Sequence, residues 1–174
     1  VFMNEAVEYG ATFDISNDSS TQKVVVNFVD EDNSIVGEEA FMNPANSEEF
    51  TIGYYLSKDL GTFDLDFGFR LDQIERSGSV SEEEHEDDHG DDHGDEHGDV
   101  DYYNIDDTTS SFAITLGRDL SDNLGISLGY ASVERLPSSI ELFMNGPHMA
   151  TGRFEVGDPN LNSETSNNFD ITFN

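Results

Sequence analysis

The sequence predicts an all-β protein: an antiparallel up-and-down transmembrane β-barrel, to which this chain contributes about seven strands. Three observations carry that prediction. Apolar residues recur at every second position through most of the 174 residues. The connections between these segments alternate between short and long. No run of 18 apolar residues exists, so only strands are left to cross a bilayer, and a membrane strand needs only about 10 alternating residues.

The elements follow in order. Tyr9, Ala11, Phe13 and Ile15 interleave with Gly10, Thr12, Asp14 and Ser16. A second strand covers 24–29, with weaker alternation. Phe50, Ile52, Tyr54 and Leu56 form the third set, and Phe63, Leu65, Phe67, Phe69 and Leu71 the fourth. Phe112, Ile114 and Leu116 are the fifth, and Leu124, Ile126, Leu128 and Tyr130 the sixth. Phe169, Ile171 and Phe173 close the chain. A period of two means one apolar face and one polar face. The one helical turn expected is 138–143, after Pro137. The connections 17–21, 58–61 and 119–123 are short and rich in turn residues, whereas 30–47, 75–108 and 134–167 are long. Short turns on one rim and long loops on the other are the pattern of an outer-membrane barrel. A soluble sandwich has no reason to alternate so.

In such a barrel the outward side chains are apolar and the lumen tolerates polar ones, because every backbone group must pair within the closed sheet. Phe63, Leu65, Phe67 and Phe69 fit the lipid side, and Asp64, Asp66, Arg70 and Asp72 the lumen. Seven strands do not close a wide barrel, so the chain is expected to be part of a larger one, with sequence missing at both ends. It begins at Val1 without a signal peptide, as a mature chain or a fragment would.

Charge narrows the function. The chain holds 38 acidic and 7 basic residues, a formal net charge of −31. Phosphate backbones would be repelled, which excludes nucleic acid as a partner. There is no Cys, hence no disulfide framework, thiolate metal site or Cys nucleophile. No Ser–His–Asp arrangement or phosphate loop stands out, so no enzyme activity and no organic cofactor are expected.

Twelve of the carboxylates and four of the five histidines fall in residues 81–101, SEEEHEDDHGDDHGDEHGDVD. His85, His89, His93 and His97 recur every four residues, the last three preceded by Asp88, Asp92 and Glu96. Neutral imidazole with carboxylate suits Zn²⁺. The same donors bind Cu²⁺ or Ni²⁺ as well or better. Calcium would not select His. Gly90, Gly94, Gly98 and the packed like charges oppose a helix, so residues 75–108 are expected to be a loop that is disordered without metal. Its expected work is to capture divalent cations at the barrel mouth. The bland alternative is a solvated charge run.

The stretch 135–168, RLPSSIELFMNGPHMATGRFEVGDPNLNSETSNN, strongly resembles the late-barrel segment of TonB-dependent outer-membrane receptors. GEEAF at 37–41 with Pro44 behind it, and GTFDLDFGFRLD at 61–72, resemble the same family. The resemblance implies a 22-stranded barrel in the Gram-negative outer membrane, surrounded by outer-membrane lipid. It also implies a plug domain, absent from this chain, through which the TonB complex powers import. Within that family an acidic His-rich loop resembles the zinc-uptake receptors, which makes Zn²⁺ the expected cargo.

His148 sits in NGPHMATG, expected as part of an ordered loop over 134–167. It is a weaker metal candidate, with Glu141 or Glu155 as partners, against a purely conformational role for the motif. Arg70, Arg118 and Arg135 are expected to pair carboxylates in or near the lumen (Arg118 alternatively at the periplasmic rim). Tyr54, Tyr102, Tyr103 and Tyr130 are candidates for aromatic girdles at the membrane interfaces. Two rival functions remain: a siderophore or haem receptor whose His tract is incidental, and a soluble secreted β-module for adhesion or metal buffering.

Overall fold

The computed structural model describes residues 1–37, 40–81, 100–148 and 152–174. Seven antiparallel strands form one meandering sheet: β1 (Phe2–Asp14), β2 (Thr21–Ile35), β3 (Ala45–Asp59), β4 (Asp64–Ser81), β5 (Val100–Ser121), β6 (Leu124–Arg135) and β9 (Glu164–Phe173). Between β6 and β9 lie α1 (Ser139–Phe143) and a separate hairpin of β7 (Asn145–His148) with β8 (Arg153–Val156). Each strand of the sheet pairs with its chain neighbour, so the sheet fits a segment of a larger up-and-down barrel.

The register gathers the alternating apolar residues onto one face. One row across the ladder reads Phe13, Val24, Tyr54, Phe69 and Phe112. Another reads Leu56, Phe67, Ile114, Tyr130 and Phe169. Among the described residues none covers this face: Phe50, Ile52, Phe69, Leu128 and Phe169 are exposed. The packed apolar faces that a soluble β-module requires are therefore not seen in this sheet.

The apolar band also runs obliquely. Ala11, mid-band on β1, leads across the register to Leu71 on β4. Ile171, mid-band on β9, leads to Leu65, six residues lower on the same strand. Over the seven strands this is about one residue, or ~3.3 Å, per ~4.8 Å strand spacing, a tilt of roughly 35°. Membrane barrels tilt their strands by about that much.

The strands outrun their apolar stretch. β4 has 18 residues and β5 has 22, against the about 10 that cross a bilayer. The loop expected at 75–108 is thus strand to Ser81 and from Val100 onward. The loops expected at 30–47 and 134–167 shrink to 36–44 and 136–163. The reason is physical: beyond the apolar band the outward face is polar and the inward face packs against protein through Val80, Tyr103 and Ile105, so the outward apolar row stops while the hydrogen-bonded ladder continues. At the other rim the turns are tight. In the β3–β4 turn Gly61 takes φ +82°, and its N–H donates to the Asp59 carboxylate at 2.5 Å.

The buried apolar cluster lies on the opposite, polar face of the sheet, at one end of it. Ile35, Met42, Ala45, Leu142 and Phe143 pack together at the long-loop rim, with Phe41, Val80, Tyr103 and Ile105 against them.

Candidate functional site at the long-loop rim

The sequence explains why 136–163 folds inward instead of standing free. Ser138 caps α1 with a capping box: its hydroxyl accepts from the Glu141 N–H, and the Glu141 carboxylate accepts from the Ser138 N–H at 2.7 Å. Arg135, the last residue of β6, donates to both Glu141 oxygens at 2.7 and 3.0 Å and to Glu164 at 3.0 Å. The Arg135 guanidinium, helped by the Ser138 backbone and hydroxyl, holds the Glu141 carboxyl at about 2. The same bonds raise the Arg135 pKa.

This clamp aims Leu142 and Phe143 at the polar face of the sheet, where both are fully buried. Phe143 lies over Gly78 of β4, where a Cβ would come within 2.5 Å of its ring. Tyr103 stacks on the same ring at 6.3 Å between centroids. Two further glycines permit backbone contact: a Cβ on Gly146 would meet Phe41 at 2.6 Å, and one on Gly157 would meet the Glu141 carbonyl at 2.7 Å. Backbone bonds knit the segments, Asn145 N–H to the Phe41 carbonyl at 2.7 Å and Gly157 N–H to that of Met144 at 2.6 Å. We call this unit, with residues 40–44, the cap.

The cap grips the base of the His-rich tract. Asn145 Nδ2 donates to the Ser81 carbonyl at 2.6 Å, and Asn43 Nδ2 donates to the Ser81 hydroxyl at 3.0 Å. Ser81 is the last described residue before the tract. His85, Asp88, His89, Asp92, His93, Glu96 and His97 all lie outside the described residues. His148 is in β7, its backbone opposite Arg153, and its side chain is outside the described part. Glu141, expected as a possible metal partner for His148, is instead committed to Arg135 and Ser138. Among the described residues no group of three or more His, Asp or Glu is placed to hold a metal ion.

Below the cap, polar pairs line the same face. Asp72 is buried and accepts from Thr51 Oγ1 and Arg70 Nε, each at 2.6 Å. Arg76, buried as well, donates to Ser47 and to Glu49, the latter at 2.5 Å. The expected pairing of Arg70 and Arg135 is thus seen. Arg118 sits at the short-turn rim, 5.4 Å over the Phe63 ring. Two of the girdle tyrosines belong elsewhere. Tyr103 points inward under the cap, and Tyr102 lies ten residues beyond Phe112, well above the apolar band. Arg76 and Gly78 were not singled out in the sequence. Gly78 carried the clearest missed signal, as a glycine inside a strand often marks close approach.

The family model for the TonB-dependent receptor-like β-barrel matches residues 4–174. This chain belongs to that family. Among solved structures it resembles a double mutant of the Serratia marcescens hemophore receptor HasR, in complex with its hemophore HasA and heme. The TM-score is 0.60 at 14% identity, over 99% of this chain and 29% of HasR. The likeness is one of fold. Members of the family reside in the Gram-negative outer membrane, which assigns the apolar face to lipid and the polar face, with the cap upon it, to the lumen side of a receptor barrel.

Proposed function

We propose that the chain belongs to a receptor that takes up zinc, or another divalent transition metal, across the outer membrane with energy from the TonB complex. The TonB contact would be made through a plug domain outside this chain. One observation carries the cargo: four histidines at strict period four, interleaved with carboxylates, between the ends of β4 and β5 on the cap-bearing rim. Several equivalent imidazole–carboxylate sites would concentrate cations at the mouth, and the surrounding negative charge would speed their arrival. Ligating imidazole must be neutral, so capture weakens as pH falls through about 6.5.

The test is titration of a peptide covering 81–101 with Zn²⁺, paired with zinc uptake by cells whose receptor lacks 82–99. Micromolar binding at pH 7.4 and lost zinc-limited growth are expected; no binding at micromolar metal would sink the reading. A second reading is a haem or siderophore receptor with an incidental His tract. What favours it is the fold shared with a hemophore receptor. It predicts that deleting 82–99 leaves zinc-limited growth unchanged, while loss of the receptor abolishes growth on chelated iron.

A further inference from the structure

Tyr102 and Tyr103 are neighbours that the pleat sends to opposite faces. Tyr103 goes under the cap. Tyr102 goes outward and is 83% exposed, on a wall that is neither lipid-covered nor part of the lumen. The register surrounds it with small polar groups on the same outward face. Ser79 is opposite Tyr102, and one row further toward the membrane Asp32, Asn46, Ser77 and Asn104 stand side by side across four strands. They border a groove of about 550 Å³ along β2 to β5. We propose that this outer-wall groove binds the neutral saccharide chain of glycolipids in the surrounding outer leaflet, with Tyr102 as the stacking platform.

Three features select that ligand. The first is chemistry: a pyranose offers an apolar C–H face for an aromatic ring and a rim of hydroxyls for carboxylate, amide and hydroxyl partners. A Tyr ring supplies a large, rigid, amphipathic contact of this kind. The row of four polar side chains repeats at the strand spacing of about 4.8 Å, comparable to the repeat of a pyranose chain.

The second is height. Ser79 is eight residues beyond Leu71, the last apolar residue of the band on β4. At ~3.3 Å per residue and the tilt found above, this is about 20 Å above the band. Ordinary phospholipid headgroups add only about 5–7 Å to each side of the hydrocarbon. A lipid of this membrane reaches the groove only if its headgroup is a sugar chain.

The third is charge. One row below the polar ladder, Asp30, Glu48, Glu75 and Asp106 lie directly opposite one another on the same outward face. That row repels phosphate, so the ligand is the uncharged part of the glycan.

The experiment uses the receptor carrying this chain, purified in detergent and titrated by calorimetry with core oligosaccharide released from lipopolysaccharide and dephosphorylated. Wild type is expected to bind. Tyr102→Ala should weaken binding about tenfold, the scale of one lost aromatic contact. Tyr102→Phe should stay within about twofold, because the ring face remains, and Asn104→Ala should fall between. Both side chains are on the outer wall, and retained heat-modifiable migration of the barrel reports that each of the three variants is folded. The proposal is overturned by absence of saccharide binding to wild type, or by an unchanged affinity in Tyr102→Ala. Binding of the phosphorylated oligosaccharide at least as tightly as the dephosphorylated one overturns the neutral assignment. So does a protein partner that requires Tyr102 where saccharide does not bind.

Discussion

The sheet and the cap are stabilised by opposite arrangements of the same residue types. In the sheet, Phe, Leu, Ile and Tyr stand at every second position and remain uncovered by protein, because lipid is their partner. In the cap, Leu142 and Phe143 are sealed by Ile35, Met42, Ala45 and Phe41 as in any soluble core. The sheet holds through cross-strand hydrogen bonds that tolerate many side chains. The cap holds through a few contacts that tolerate almost none, as the glycines at 78, 146 and 157 attest. This chain thus combines a wall specified by periodicity with a cap specified by individual fits.

The comparison breaks most sharply at Phe143. Phe143→Ala removes a fully buried ring from a small cluster and is expected to cost the cap about 3–5 kcal/mol. That is enough to undock 139–158 without unfolding the strands below. Hydrogen exchange should show faster amides in α1, β7 and β8 while the central amides of β3, β4 and β5 stay protected. Equal loss of protection in the strands would mean that cap and wall form one cooperative unit.

The reciprocal test places a charge on the wall. Phe69 lies mid-band on β4, between Tyr54 and Phe112. Phe69→Arg in lipid is expected to cost about 2–4 kcal/mol. The effect should appear as a lower unfolding midpoint of the barrel in urea, with cap amides following the wall rather than leading it. The same substitution at Gln73, above the band on the same face, should cost nearly nothing. If both positions respond alike, the band ends higher than the apolar alternation indicates.

These two regions also differ in how far the sequence discloses them. The strands that carry Leu65 to Leu71 or Phe169 to Phe173 are legible because a period of two leaves one physical solution, a half-apolar sheet. The ends of β4 and β5 are not legible this way. From Gln73 and Thr108 outward the outer face is polar and the inner face packs under the cap through Val80, Tyr103 and Ile105, so the outward apolar row that marks a membrane strand ends before the ladder does. The helical turn after Pro137 is readable from Ser138 and Glu141, whose spacing is that of a capping box. Its docking onto Gly78 is not, since 60 intervening residues separate glycine and helix and the fit is tertiary. Arg118 illustrates the intermediate case: an arginine beside a strand end fits lumen or rim equally well until register puts it on the face of Phe63. The His-rich tract is the reverse: its four-residue period is plain in the sequence, and it lies outside the described residues.

The smallest expected effect separates cap from wall by pH alone. Arg135 and Glu141 are both about half exposed, so their pair contributes little, as surface ion pairs do. Its direction is nevertheless fixed. The Glu141 carboxyl is held at about 2 in the folded cap, below its ordinary value of 4.5. A depressed carboxyl stabilises the docked state above its ordinary pKa, and that contribution is lost as pH falls from about 4.5 through about 2. Fluorine NMR of a labelled Phe143 should therefore show docking unchanged above pH 5 and weakening below it, while the amides of β4 and β5 stay constant. Glu141→Gln cannot titrate and loses the ion pair with Arg135. It should dock slightly less well at pH 7 and lose most of the acid dependence. If the substituted cap keeps the full acid response, the titrating group lies elsewhere, and the Arg135 clamp is not what ties the lid to the wall.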